Sequence, residues 1–122
     1  MIEGRFRDGL PRITLDLPTK NGGEQIVTFI VDTGFNGDLT LPESLARALP
    51  EAIRGEQSVT FAGGFGRRCF CYEIELADAE GEPRMVEVLI MDGNPLMGNN
   101  YLRNQLLTVE LTEGGDVLAE PL

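Results

Sequence analysis

Asp32 is the residue around which chemistry is most readily built. It closes the apolar run Ile26 to Val31 and opens the turn Asp32-Thr33-Gly34-Phe35-Asn36-Gly37, so a carboxylate passes directly from stiff chain into a tight corner. Gly34 and Gly37 accept positive φ at little cost, and a carboxylate held this way on rigid neighbours suits acid–base work. The chain has no histidine. That removes Ser-His-Asp and Cys-His mechanisms and most zinc sites, and leaves carboxylates as the available acids and bases.

The same spacing supports two other readings. Asp32, Asn36, Gly37 and Glu43 stand at positions one, five, six and twelve of a calcium-binding loop, with Leu39 at its apolar position. Gly34 brings no ligand at position three, and a strand rather than a helix enters the loop, so neither a metal nor a cofactor is expected. Alternatively the stretch is a plain strand-turn-strand corner, in which the Asp32 carboxylate only accepts hydrogen bonds from turn amides.

At 122 residues the chain is read as one domain spanning 1–122, with a modest core that dimerisation would supplement. Ten Lys and Arg against twenty Asp and Glu give a net charge of −10, which offers no electrostatic footprint for nucleic acid. No apolar run approaches the roughly 20 residues that cross a bilayer, and the first residues lack the apolar core of a signal peptide. The expectation is a cytoplasmic protein without nucleic-acid or membrane partners. Cys69 and Cys71, one residue apart on an expected strand, share one face and read as reduced packing residues.

The elements that must position Asp32 are mostly strands. Arg12 to Leu17 alternates polar and apolar, Asn21-Gly22-Gly23 is a turn, and Ile26 to Val31 reads as a strand buried on both faces. Ile2-Glu3-Gly4-Arg5 reads equally as a native segment or as a tag-cleavage sequence. Leu39 and Leu41 start a short strand. Thr40-Leu41-Pro42-Glu43 has a capping-box pattern, leading into a short helix with Leu45, Ala46, Ala48 and Leu49 on one side. Ser58 to Phe61 and Cys69 to Leu76 are strands joined across Gly63-Gly64-Phe65-Gly66. Ala77 to Pro83 is a solvated acidic turn. Met85 to Met91 is a second apolar run that suits burial on both faces. After the turn Asp92 to Pro95, Gly98 allows close backbone approach to the Asp32 turn, and Asn99 to Gln105 reads as a short helix. Leu107 to Leu111 and Val117 to Ala119 close the chain as a hairpin around Gly114-Gly115. Six to eight strands, two small helices and no βαβ alternation make an all-β domain, expected as a closed barrel.

Ile30-Val31-Asp32-Thr33-Gly34 resembles the catalytic signature of aspartic peptidases, and Leu96-Met97-Gly98 resembles the apolar-apolar-Gly segment that lies beside it in their fold. With the glycine-rich hairpin between them, order and spacing resemble one retropepsin-like (retroviral-type) subunit over nearly the whole chain, most closely the small bacterial members. The resemblance implies an acid-protease-type barrel with one or two short helices, working as a homodimer on a peptide or protein substrate. Asp32 is then the catalytic residue. Thr33 locks the two catalytic loops together, Gly34 leaves room for the substrate, and Gly98 and Asn99 support the loop. Gly63, Gly64, Phe65 and Gly66 form a mobile flap over the bound peptide, and Phe35 stands in the cleft where most members carry Ala or Ser. Chain termini build much of the dimer sheet in retropepsins, and the closing hairpin here either does the same or stays within its subunit.

Peptide hydrolysis of this kind needs two carboxylates, one ionised to activate water and one protonated to donate to the carbonyl. Two acids about 3 Å apart share a single proton and so supply both roles. The chain has a single Asp-Thr-Gly, so the resemblance implies that the second Asp32 comes from another copy through a two-fold axis. From another class, the alternative is a non-catalytic dimeric module that keeps the barrel and cleft for peptide binding or assembly, with Phe35 obstructing the cleft.

Overall fold

The computed structural model describes residues 1–50, 53–78 and 81–122. Its strands are β1 Ile2–Arg7, β2 Leu10–Pro18, β3 Glu24–Val31, β4 Leu39–Leu41, β5 Ile53–Thr60, β6 Gly66–Ala77, β7 Pro83–Ile90, β8 Leu96–Met97, β9 Gln105–Val109 and β10 Asp116–Pro121. One short helix, α1 Glu43–Ala46, follows β4. The strands join in a single sheet of order β5-β6-β7-β4-β8-β3-β2-β1-β10-β9. Neighbours run antiparallel except β3 with β8 and β4 with β7, which are parallel. The domain is therefore all-β. Its strand order is open, ending at β5 and β9, and among the described residues the pairing of these two ends that would close a barrel is not seen.

The first hairpin follows from alternation. Ile13 and Leu17 on β2 and Val27, Phe29 and Val31 on β3 are buried, while Thr14, Asp16 and Thr28 between them are exposed. Asn21-Gly22 forms the turn, with Gly22 at φ 82° and the Gly22 N–H donating to the Thr19 carbonyl at 3.0 Å. The expectation that β3 is buried on both faces needs correction. Ile26 is 76% exposed, because only one face of β3 meets the core, and the other carries Thr28, whose Oγ1 lies 3.0 Å from Thr14 Oγ1.

β7 has two covered faces only beyond Met85, which is 55% exposed. Val86 and Val88 enter the main core with Ile13, Phe29, Leu41, Ile74 and Val117, and Leu89 enters a second cluster with Phe35, Val59, Cys69 and Cys71. Each large apolar side chain withdrawn from water in this way contributes about 2 kcal/mol before entropy is counted. Cys69 and Cys71 are free, buried and on the same face, as their spacing implies. Burial raises the Cys71 thiol above its usual pKa, and Glu87 and Glu73 add to that rise, so it stays protonated and inert.

Three local readings differ from the structure. Thr40 does not cap α1: the N-cap is Pro42, and Thr40 lies in β4 with its Oγ1 accepting the Leu96 N–H at 2.9 Å. A neighbouring strand supplies a buried donor that satisfies the hydroxyl better than a helix end does. Asn99 to Asn104 forms turns rather than a helix, and Gln105 already belongs to β9; the backbone amides of Asn99 and Asn100 bond to the Asp32 loop instead of to their own segment. Ile2–Arg7, given no strand from sequence, is β1, paired with β2 and β10. Gly4 is part of that pairing, since a Cβ there would collide with the Arg12 carbonyl. The acidic turn between Ala77 and Pro83 falls in part on residues 79 and 80, which lie outside the described residues.

Candidate active site

Asp32 sits at the carboxyl end of β3, and the chain returns through β4 after the loop 33–38. β8, which follows more than half the chain later, lies between them, parallel to β3 and antiparallel to β4. The loop thus leaves one side of β8 and comes back on the other. The Asp32 N–H donates to the Met97 carbonyl at 2.9 Å, which fixes the residue's backbone to β8. Its Oδ1 accepts the Gly34 N–H at 2.9 Å, and the Phe35 N–H donates to the Asp32 carbonyl at 3.1 Å. Asp32 is half-buried, so one carboxylate edge is held by the turn while the group keeps access to solvent.

Gly98, Asn99 and Asn100 stitch the loop from beneath. Their backbone N–H groups donate to the carbonyls of Asp38 at 2.8 Å, Phe35 at 2.9 Å and Gly37 at 3.1 Å. Asn99 Nδ2 donates to the Thr33 carbonyl at 2.6 Å. A Cβ at Gly98 would stand 2.6 Å from Phe35 Cδ2, so this approach requires glycine. Thr33 itself is exposed, beside Asp32 on the outer side of the loop.

The hairpin expected to act as a flap lies next to the same loop. β5 and β6 pair up to Thr60 and Gly66, and Ala62–Gly64 forms one tight helical turn between them. Gly63 and Gly64 have φ of 84° and 77°, a region that L side chains enter only at a cost. Phe65 is 64% exposed at the tip. The turn end of the hairpin touches the acid loop: a Cβ at Gly34 would lie 2.7 Å from Ala62 Cβ, and Asn36 Oδ1 accepts the Thr60 N–H at 3.3 Å.

Phe35 is not where the sequence placed it. Its ring is fully buried, stacked on Phe61 with centroids 5.4 Å apart and packed among Val59, Cys69, Cys71 and Leu89. The ring turns inward because the second cluster needs a large apolar filler beneath the loop, and the absence of side chains at Gly37 and Gly98 makes room for it. It offers no surface to a ligand.

Asp38 is the residue that sequence reading passed over. It is 4% exposed and accepts from Asn100 Nδ2 at 2.8 Å, the Glu87 N–H at 2.9 Å and Arg84 at 3.3 Å. Arg84 also donates to the carbonyls of Asn100 at 2.7 Å and Tyr101 at 2.9 Å, and lies over the Tyr101 ring. Burial raises the Tyr101 pKa, against the lowering effect of Arg84. This network ties β7 to both segments around Asp32. The only trace of it in the sequence is an acid immediately before the buried run Leu39 to Leu41. Glu87 borders the same cavity of about 260 Å³ as Asp38 and Glu73, and its carboxyl is pushed up by burial first and then by those two acids.

The calcium-like spacing does not gather its residues. Asn36 turns to Thr60, Glu43 pairs with Arg47, and among the described residues no group of three or more His, Cys, Asp or Glu is placed to hold a metal ion. Wider grooves, such as the one of about 750 Å³ beside Phe70, Tyr72 and Ile90, lie away from Asp32. The site is therefore a carboxylate held at one oxygen, bordered by an exposed Thr33, in a loop whose Gly34 and Asn36 meet the turn end of a glycine-rich hairpin. Set against protein-family models, curated proteins and solved structures, the chain matches none of them.

Proposed function

We propose that the protein is an aspartic endopeptidase that works as a homodimer of acid-protease-type subunits on extended peptide segments. The observation that carries this reading is the mounting of Asp32. Its backbone is bonded to β8 and one carboxylate oxygen to the Gly34 N–H, next to a hairpin whose turn, at Ala62, approaches Gly34. Backbone and one carboxylate oxygen are thereby held while the other oxygen has no hydrogen-bond partner among the described residues, an ordering that suits a group positioned for chemistry.

In the dimer, two Asp32 carboxylates meet across the axis and share one proton. The ionised one takes a proton from water as the water attacks the scissile carbonyl carbon, and the protonated one donates to the carbonyl oxygen. The carboxylate that gained the water proton then passes it to the leaving amine while a hydroxyl of the tetrahedral gem-diol returns its proton to the other carboxylate, so the C–N bond breaks, the carboxylic acid product forms and the pair again holds one proton. The β5–β6 hairpin offers backbone groups to the peptide and displaces water. Inward packing of Phe35 supports the enzyme reading over the binding-module alternative, since the ring that was to obstruct the cleft lies in the core.

The test compares wild type with Asp32→Asn by cleavage of a peptide library from pH 4 to 8, with sedimentation on the same samples. The substitution keeps the side chain's shape and removes its titration. Wild type is expected to cut and Asp32→Asn to stay folded and silent; a wild type that cuts nothing, or a variant that cuts equally well, ends the peptidase reading.

A further inference from the structure

Two Asn-Gly pairs stand in the chain, Asn21-Gly22 and Asn36-Gly37. In such a pair the glycine nitrogen has no neighbouring side chain to hinder it, so it can close a small ring onto the asparagine's own side-chain amide carbon. Both asparagines are exposed, and access to water does not separate them. Their backbone bonds do. The Gly22 N–H donates to the Thr19 carbonyl at 3.0 Å with Gly22 held at φ 82°, which commits that nitrogen to a turn. Along the Asp32 loop each peptide unit from Asp32 to Leu39 carries a hydrogen bond, except the one that joins Asn36 to Gly37. Among the described residues neither the Asn36 carbonyl nor the Gly37 N–H has a partner, so this link is the one free to rotate in a loop pinned on both sides of it.

The asparagine side chain is also prepared for attack. Asn36 Oδ1 accepts the Thr60 N–H at 3.3 Å. The Phe61 N–H donates to the Phe65 carbonyl at 2.8 Å, so Phe61 faces β6 and Thr60, one residue earlier, turns its N–H to the open edge of β5. A donor on this oxygen stabilises the negative charge that gathers there when the amide carbon is attacked.

We propose that Asn36 is a self-modification site, converted to aspartate and isoaspartate through a succinimide closed by the Gly37 nitrogen, with water as the co-reactant. The Gly37 N–H gives up its proton, the nitrogen bonds to Asn36 Cγ, and the Cγ–Nδ2 bond breaks as the amide group takes a proton and leaves as ammonia. Water then opens the ring at one of its two carbonyl carbons. Opening at Cγ leaves aspartate; opening at the backbone carbonyl leaves isoaspartate, whose main chain runs through the side-chain methylene. Nothing is oxidised or reduced, and either product makes the chain one unit more negative. The change falls between Asp32 and β5. Aspartate offers the Thr60 N–H a charged acceptor, whereas isoaspartate lengthens the loop between the carbonyls that Asn99 and Asn100 hold. The new charge also favours the protonated form of Asp32. The site is independent of the peptidase reading, since the ring closes whether or not the protein cuts peptides.

The test holds the folded protein at mildly alkaline pH and follows both asparagines by peptide mapping with mass spectrometry, aspartate and isoaspartate being separated by elution. Asn36 is expected to convert at least about fivefold faster than Asn21, which must first release the Gly22 hydrogen bond. In urea neither loop survives, and the two rates should draw together. An Asn36 that converts no faster than Asn21 in the folded chain, or a ratio that unfolding leaves unchanged, overturns the proposal. Thr60→Pro removes the donor from the Asn36 oxygen at an edge position where proline spares the ladder, and it is expected to slow Asn36 by roughly tenfold while Asn21 keeps its folded-state rate. An Asn36 rate that ignores this substitution, with Asn21 still slow, overturns the part assigned to Thr60. A Thr60→Pro chain that fails to fold shows itself by a faster Asn21, and the comparison of folded with urea-unfolded wild type then decides the matter.

Discussion

Gly98 lies directly beneath Phe35: a Cβ on residue 98 would stand 2.6 Å from the ring's Cδ2 and 2.7 Å from the Phe35 carbonyl oxygen. The backbone of one segment and the ring of another occupy adjoining space with no slack, and the Asp32 loop rests on that contact. Gly98→Ala is therefore expected to lower stability by about 2–3 kcal/mol through forced displacement of the loop. At roughly 4 °C per kcal/mol for a domain of this size, calorimetry should read a fall in Tm of about 10 °C. A Tm unchanged within error would mean that the loop yields freely and that Gly98 does not hold it.

Asp38→Ala removes the acceptor shared by Arg84, Asn100 Nδ2 and the Glu87 N–H. Arg84 retains the carbonyls of Asn100 and Tyr101 and some exposure to solvent, so the cost is set below that of a fully buried broken pair, at about 2–3 kcal/mol. Urea denaturation of Asp38→Ala, Asp38→Asn and wild type should rank Ala as least stable and Asn between them.

Glu87 has its carboxyl pushed up in the folded chain by burial, and then by Asp38 and Glu73. Its folded pKa lies above its unfolded one, so between the two values the native state holds a proton that the unfolded state has lost. Stability from this group is therefore full below the ordinary carboxylate range and declines as pH rises through the raised value. Glu87→Gln removes that decline. The difference in urea midpoint, Gln minus Glu, should be larger at pH 7 than at pH 4, with the remaining acids common to both proteins and cancelling; a difference independent of pH would remove Glu87 as the cause.

Phe65 is 64% exposed at the hairpin tip, so Phe65→Ala should leave folding stability within about 0.5 kcal/mol. If the tip covers a bound peptide, the lost apolar contact should weaken KM by roughly tenfold with little change in kcat. An unaltered KM would return Gly63 to Gly66 to the status of an ordinary hairpin tip.

The sequence by itself determined what acts over a few residues. Alternation placed β2 and the core of β6, a continuous apolar run placed β7, the glycine pairs marked the turns, and the approach of Gly98 to the Asp32 turn was legible from a glycine that admits close backbone approach, in a Leu96-Met97-Gly98 segment that resembles one lying beside such a turn. Asp32 at a strand end was legible because the apolar run Ile26 to Val31 stops there and glycines follow. What only the tertiary structure decided depends on which distant segment becomes a neighbour. β8 slots between β3 and β4, and Asp38 finds Arg84 across 46 residues of chain, a pairing that no local period encodes. Phe35 turned inward because the space beneath its loop is bounded by Val59, Cys71 and Leu89, residues from three other strands. Thr40 bonded Leu96 and not a helix end, and Asn99 and Asn100 gave their amides to the loop and not to a helix, for one reason. A backbone or hydroxyl group buried beside a nearby partner is satisfied there first, and the identity of that partner is fixed by packing and not by the spacing of residues along the chain.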